Sequence, residues 1–318
     1  MYETKIVVLK ISSIIAAFEA WITSMLTNNL RNIAIIAHVD HGKTTLVDKL
    51  LSQSGTLDRK TITSERLMDS NDQEKERGIT ILAKNTAINW QNFRINIVDT
   101  PGHADFGGEV ERVLSMVDSV LLLVDAVDGP MPQTRFVTQK AFERGLCPIV
   151  VINKIDRPGA RPNWAMDQVF DLFDNLGATD EQLDFSAVFT SAINGVAGLD
   201  CDEVADNMEP LFKTIVDQVP PPKVDKTGPF QMQISALDYD SYTGVIGIGR
   251  ISRGSAKPGM QVCVNNIHGE NRRGKILSVK EYLGLDQFDT EVAHAGDIVC
   301  INGIDGLSIS DTLCDPDH

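Results

Sequence analysis

Cysteine is scarce and badly placed for structural use: five occur in 318 residues, no two form a C-x-x-C pair, and the number is odd. A disulfide framework and a zinc ribbon are thereby excluded, and the usage fits a reducing, cytoplasmic compartment. Basic residues are also in deficit. Lysine and arginine number 29 against 44 acidic residues, a net charge of −15, which opposes non-specific adsorption to nucleic-acid backbones or anionic lipid and argues against sequence-specific DNA binding. Any nucleic-acid contact must come from a local patch. Long unbroken apolar runs are absent: residues 6–26 are interrupted by Lys10 and Glu19 and lack an A-x-A cleavage site. Their apolar positions Ile11, Ile14, Ile15, Phe18 and Ile22 follow helical spacing, so an amphipathic helix is expected there and no membrane span. Met25 stands just ahead of the first strong strand, so residues 1–29 read as an amino-terminal extension, either upstream sequence translated from an early start or an expression artefact.

From Arg31 onward, short apolar runs alternate with helix-period segments. Residues 33–37, 95–98, 120–124 and 149–152 read as buried strands, and 44–52, 108–116, 132–144, 164–175 and 204–218 as helices. This alternation predicts an α/β domain over 30–219, a largely parallel sheet with helices on both faces. Three consecutive prolines, Pro220, Pro221 and Pro222, stop the last helix and open a stiff linker over 220–228. Beyond it the period shortens: strand-like runs at 231–236, 244–251, 260–265, 274–279 and 297–301, separated by glycine-rich turns, predict a small β-barrel over 229–318.

Between the first strand and the first helix lies Ala37-His38-Val39-Asp40-His41-Gly42-Lys43-Thr44, which matches G-x-x-x-x-G-K-[ST] except at Ala37. In such a P-loop the backbone N–H groups and the helix N-terminus face a phosphate, where their partial positive charge favours an anion. Asp40, His41, Gly42, Lys43, Thr44 and Thr45 would form the cradle, with Lys43 bridging β- and γ-oxygens and the Thr44 hydroxyl on Mg²⁺. Loop backbone aimed at phosphate leaves the side chains of His38, Asp40 and His41 pointing variously, which argues against a transition-metal site. Asp99-Thr100-Pro101-Gly102-His103 follows the strand 95–98, at the carboxyl end where open α/β sheets bind ligands. Asp99 would hold Mg²⁺ through water. Gly102 offers an unobstructed N–H to a γ-phosphate, and His103 stands beside it.

Asn153-Lys154-Ile155-Asp156 closes the fourth strand, and its residue types suit guanine. The Asp156 carboxylate can accept from both N1–H and the 2-amino group, a match adenine cannot supply; Asn153 can bond the base and tether the loop; the Lys154 stem can cover the ring. Ser191-Ala192-Ile193, after a further strand-like run, fits a loop whose backbone touches the guanine oxygen. The polar stretch 58–81 ends in Arg77-Gly78-Ile79-Thr80, where Thr80 would reach Mg²⁺ and γ-phosphate only with a triphosphate bound.

Together these motifs resemble the translational GTPases. His38–Thr45, Arg77–Thr80, Asp99–Gly108 and above all Gly129-Pro130-Met131-Pro132-Gln133-Thr134-Arg135-Phe136 are similar to the BipA/TypA family, with elongation factor G and LepA as near relatives. Gly244–Gly254, followed by Lys257-Pro258-Gly259, is similar to the second domain of the same proteins, and Ala37 is at home in this subgroup. The resemblance implies a P-loop G domain followed by a translation-factor-type β-barrel, and a ribosome-binding GTPase acting in ribosome assembly and stress adaptation. It implies guanine nucleotides and Mg²⁺ as ligands and further α+β domains beyond residue 318. His103 is implied to orient the attacking water, held back by a gate of Val39 and Ile79 until the ribosome acts, so that intrinsic hydrolysis is slow. Asp40 is the implied helper of a monovalent cation. A non-catalytic, nucleotide-gated binding module would carry many of the same motifs and is separated from the enzyme by turnover alone. Ribosomal RNA is an awkward partner for so acidic a chain; Arg250, Arg253, Lys257, Arg272, Arg273 and Lys275 either make one local basic face or are merely solvated.

The base assignment makes a direct prediction. Asp156→Asn shifts preference from guanine to xanthine nucleotides in competition binding; unchanged guanine selectivity would remove Asp156 from the base-selecting role.

Overall fold

The computed structural model describes residues 28–56, 84–100 and 107–318. The expectations placed on 6–26 and on 58–81, and those for Pro101, Gly102 and His103, lie outside these residues, Thr80 included. By internal contacts the chain divides into two compact units, one of Arg31–Pro220 with Tyr282–Gln287, the other including Pro221–Glu281 and Phe288–His318.

The first unit is built on a seven-stranded sheet: β1 (Leu30–Ala37), β2 (Asn85–Trp90), β3 (Phe93–Asp99), β4 (Ser119–Asp125), β5 (Pro148–Asn153), β6 (Ser186–Ser191) and β7 (Val196–Gly198), in the order β2-β3-β1-β4-β5-β6-β7. The pairs β1–β4, β4–β5 and β5–β6 are parallel. Every residue of β1, β4 and β5 is buried, which is why their sequences are almost continuously apolar: a strand covered on both faces has no polar side to alternate with. The edge pairs β2–β3 and β6–β7 are antiparallel. Sequence periodicity passed over β2 and β7. β2 is short and polar, and it is defined by a tight turn at Gln91 (φ +52°) that pairs Trp90 with Phe93.

Among the described residues six helices follow these strands: α1 (Lys43–Gln53), α2 (Gly107–Ser115), α3 (Pro132–Glu143), α4 (Pro162–Asn175), α5 (Asp180–Leu183) and α6 (Glu209–Gln218). α3, α4 and α6 each open with proline in the first turn, where the missing N–H costs nothing. This corrects the helix expected over 204–218. Pro210 marks its real start, and the preceding residues run alongside β7 instead, with Ala205 N–H donating to Ala197 O at 2.9 Å. α5 was not foreseen; it is one turn, closed by a capping box of Thr179 and Gln182. Leu46, Leu50, Leu51, Leu211, Phe212 and Ile215 bury helix faces against Ile35, Ile97, Leu121 and Val151 of the sheet.

The second unit is antiparallel. Its main strands are β8 (Gln231–Gln233), β9 (Ala236–Asp240), β10 (Gly244–Arg253), β12 (Gln261–Asn265), β13 (Asn271–Lys275), β14 (Ser278–Leu283), β15 (Asp286–Asp289), β17 (Ile298–Asn302) and β18 (Thr312–Cys314), with the short pair β11 (Ser255–Ala256) and β16 (Ala293–His294). β10 is the fork of the domain: its first half pairs with β9 and β17, its end with β8. Met232, Ile251, Val262, Val264, Val299 and Leu313 fill the interior. Two expected strands are split. The run 231–236 breaks into β8 and β9, where Ser235 N–H turns to Ile248 O. The run 274–279 breaks at Ile276 and Leu277, whose N–H groups bond Met260 O just ahead of β12 and Asn302 O on β17. Among the described residues no helix is long and apolar enough to cross a membrane.

Phe212 is 1% exposed and stacks on Trp90 with ring centroids 5.4 Å apart. Phe212→Ala should destabilise the first unit by about 3–5 kcal/mol, seen as a lower urea midpoint; an unmoved midpoint would show that α6 is not part of the cooperative core.

Candidate nucleotide-binding site

The expected phosphate loop leaves β1 at Ala37 and enters α1 at Lys43. Between them Asp40 (φ +64°) and Gly42 (φ +93°) both adopt left-handed backbone. At Gly42 a side chain is excluded twice, by this φ and by space: a Cβ there would stand 2.5 Å from Asn153 Nδ2. The N-terminus of α1 carries no side-chain cap and no acid in its first turn, so its N–H groups and dipole present an uncompensated positive end. Thr44 and Thr45 lie on that first turn, half-buried.

Lys43 reaches across to the end of β3. Its Nζ ion-pairs with Asp99 Oδ1 at 2.6 Å and donates to Thr100 O at 2.7 Å. Thr100 is pinned in turn by its hydroxyl, 2.6 Å from Ile35 O. The lysine of the expected cradle and the expected magnesium carboxylate therefore meet where β3 ends beside the start of α1.

Asn153, 1% exposed at the end of β5, ties the loops together. Its Nδ2 donates to His41 O at 2.9 Å, while its Oδ1 accepts from Ala192 N–H at 2.9 Å and Thr190 Oγ1 at 3.1 Å. One carboxamide thus joins the phosphate loop to the Ser191-Ala192-Ile193 loop. Ser191 Oγ accepts from Asn194 N–H at 3.4 Å, and Ile193 is 68% exposed. Asp156 is exposed on the turn after β5. Lys154 (φ +63°) donates to Asp40 O and ion-pairs with Asp125 Oδ2 at 2.7 Å.

Asp125 is the residue bracing these loops that sequence reasoning missed. It ends β4 fully buried, accepts from Val127 N–H at 2.7 Å, and holds both Lys154 and Arg157, the latter at 3.3 Å. Burial pushes its pKa up, but the hydrogen bonds from Lys154 and Val127 and the Lys154 charge prevail and hold it below the ordinary carboxylate value. The available signal was its place at the carboxyl end of an all-apolar strand, the position already used to select Asp99.

His41 is 2% exposed, and its Nδ1 lies 3.3 Å from Leu123 O. A carbonyl only accepts, so Nδ1 carries the proton. Burial holds the imidazole below its ordinary pKa, opposed by that hydrogen bond. The His41 ring is thereby turned inward, leaving its backbone to serve the loop. His38 packs edge-on against it at 5.3 Å.

Residues 28–221 match the family described as the elongation factor Tu GTP binding domain. The chain belongs to that family. Residues 229–316 match elongation factor G domain 2, which makes the pair of domains that of a translational GTPase. Among curated relatives, the large ribosomal subunit assembly factor BipA of Salmonella typhimurium is 69% identical over 290 residues, covering 91% of this chain and 48% of that protein. The proteins of that name from Haemophilus influenzae and Buchnera aphidicola are 70% and 64% identical, covering 90% and 91% of this chain and 47% and 48% of theirs. The chain spans about half the length of these relatives. Among solved structures, translation elongation factor SelB of Methanococcus maripaludis, crystallised with the GTP analogue GPPNHP, shares the fold with a TM-score of 0.67 at 24% identity, over 91% of this chain and 55% of that one.

Because the folded-state pKa of Asp125 is depressed, the stability it contributes is present above the unfolded carboxylate value of about 3.9 and is lost as pH falls through the folded value. Asp125→Asn should therefore cost about 1–3 kcal/mol at neutral pH, with the gap to the parent closing below about pH 4. A gap independent of pH would show that the charge is not what matters.

Proposed function

We propose that this chain binds and hydrolyses GTP as the G-domain and second-domain portion of a ribosome-associated factor of the BipA/TypA type, acting in the cytoplasm in ribosome assembly and stress adaptation. The domain limits adopted are 30–219 and 229–318, with 220–228 as linker. The observation that carries the reading is the Asn153 tether: a nucleotide needs its phosphate and base sites at a fixed separation, and one buried carboxamide holds both loops.

In this reading the phosphates rest on Asp40 to Thr45, with Lys43 leaving Asp99 to neutralise the β- and γ-oxygens and Gly102 N–H facing the γ-phosphate. Asn153, Lys154 and Asp156, with the Ser191–Ile193 loop, receive guanine. Thr44, Thr80 and Asp99 would supply a donor set made only of oxygens, as Mg²⁺ requires; the buried Asp99 carboxylate beside a helix start free of acids supports that fit. The ion would offset phosphate charge. Asp40 remains the candidate for a monovalent cation. His103 orients the water, and the protein's share is positioning and charge stabilisation. Supplying a missing catalytic element to a GTPase is worth about 10³–10⁵ in rate, or roughly 4–7 kcal/mol of barrier, which makes the ribosome a sufficient switch.

Calorimetric titration with GDP, GTP and ATP, with and without Mg²⁺, tests pocket, base and metal at once: GDP and GTP bind, ATP does not, and Mg²⁺ tightens GTP. Indifference to both guanine nucleotides would end the proposal. In the full-length protein with ribosomes, His103→Ala should slow stimulated hydrolysis by about 10²–10⁴-fold while leaving nucleotide affinity nearly unchanged; an equal loss of binding would make the histidine structural.

A further inference from the structure

The nucleotide reading leaves one reactive cluster unused, in the second unit. β12 lies between β13 and β18, and in this register Cys263 stands directly opposite Cys314 on one side and Arg273 on the other. Residues paired across antiparallel strands share a face, so the two thiols and the guanidinium form one row. The next pair along, Val264 and Leu313, is buried in the domain interior; the side-chain period of two then puts the cysteine row on the outer face. Both cysteines are free thiols.

The pair is organised rather than incidental. Asn265, two residues along the same strand face, donates from Nδ2 to Cys314 Sγ at 3.3 Å and accepts the Cys263 thiol at Oδ1, 3.6 Å away. The Cys314 thiol in turn lies 3.7 Å from Cys263 O. Opposite residues in antiparallel strands have Cα atoms about 4.5 or 5.5 Å apart, and a disulfide accepts about 4.4–6.8 Å. The Cα spacing of such a pair thus falls within the range a disulfide accepts. The remaining thiols are elsewhere: Cys300 sits on β17 opposite Ile248 and Lys280, and Cys147 and Cys201 belong to the first unit.

We propose that Cys263 and Cys314 are a redox modification site, closing reversibly to an intramolecular disulfide at the expense of a small anionic disulfide oxidant. Cys263, the more exposed of the two, reacts first; Cys314 is 7% exposed. Burial and then the neighbouring Cys263 raise the Cys314 pKa, which fits it to the slower, resolving part. Arg273 sets a cation beside the entry point and so favours an oxidant carrying carboxylates. In the first step the Cys263 sulfur, its proton lost to solvent, attacks one sulfur of the oxidant, forming a mixed disulfide and releasing one thiolate. In the second the deprotonated Cys314 sulfur attacks Cys263 Sγ, forming the protein disulfide and releasing the second thiolate. The two protein thiols are oxidised by two electrons, the oxidant is reduced to two thiols, and the two protons end on them. The bond joins β18, the last strand, to β12 and closes the intervening loop, which restricts the unfolded chain.

The test is treatment of the whole folded chain with oxidised glutathione, followed by alkylation and non-reducing peptide mapping. The expected result is loss of two of the five alkylatable thiols, a peptide linking Cys263 to Cys314, a thermal midpoint raised by several degrees, and full reversal by dithiothreitol. Cys314→Ser should instead trap glutathione on Cys263. The proposal is overturned if both cysteines stay alkylatable under excess oxidant, if the parent chain stops at a stable Cys263 adduct with Cys314 free, or if the linked peptide joins other cysteines. The parent-chain map decides the matter even where the serine variant fails to fold.

Discussion

Asn153 spends one N–H and its carbonyl oxygen on segments other than its own, and the site depends on that. A buried carboxamide left with unmatched groups would cost free energy; here Nδ2 donates to His41 O, and Oδ1 accepts from Ala192 N–H and the Thr190 hydroxyl. The tight fit also explains Gly42: the amide stands where a Cβ would be. A chain that must pass this close to a buried amide has one residue type available to it, and its left-handed φ points to the same one.

Around that tether the charges are arranged in pairs. Lys43 faces Asp99, and Lys154 faces Asp125. Each lysine is held by an acid at the carboxyl end of a strand, so each arrives preoriented at the rim of the sheet. Buried pairs of this kind contribute little net stability, because desolvation offsets most of their attraction. What they do is fix the direction of two cations that would otherwise be long and mobile. Lys154 pins its own loop through the Asp40 carbonyl, so the segments after β5 and after β1 are joined twice, once by an amide and once by an ammonium.

The second unit obeys a different constraint. Its strands are short and its connections tight, and β10 must pair with partners on both sides and then change partner near its end. Placing an outward row of Arg273, Cys263 and Cys314 across β13, β12 and β18 is a product of that register. These three residues come from distant parts of the chain and share no sequence pattern.

Periodicity and turn chemistry alone determined the parallel α/β core: apolar runs such as those of β4 and β5 have one physical outcome, burial on both faces, and prolines mark helix starts wherever the chain folds. Gly42 was equally legible, because a close backbone approach at a left-handed φ admits one residue type. Tertiary structure decided what those patterns leave open. It ended the helix expected at 204–218 early, since residues near Ala205 pair with β7, and it split two barrel strands whose N–H groups found partners on separate neighbours. It made Asp125 a hub and turned the His41 imidazole inward. Local sequence carries propensity and spacing, which act over a few residues; hydrogen-bond partners and burial are set by segments a hundred residues apart, and only the folded chain brings those together.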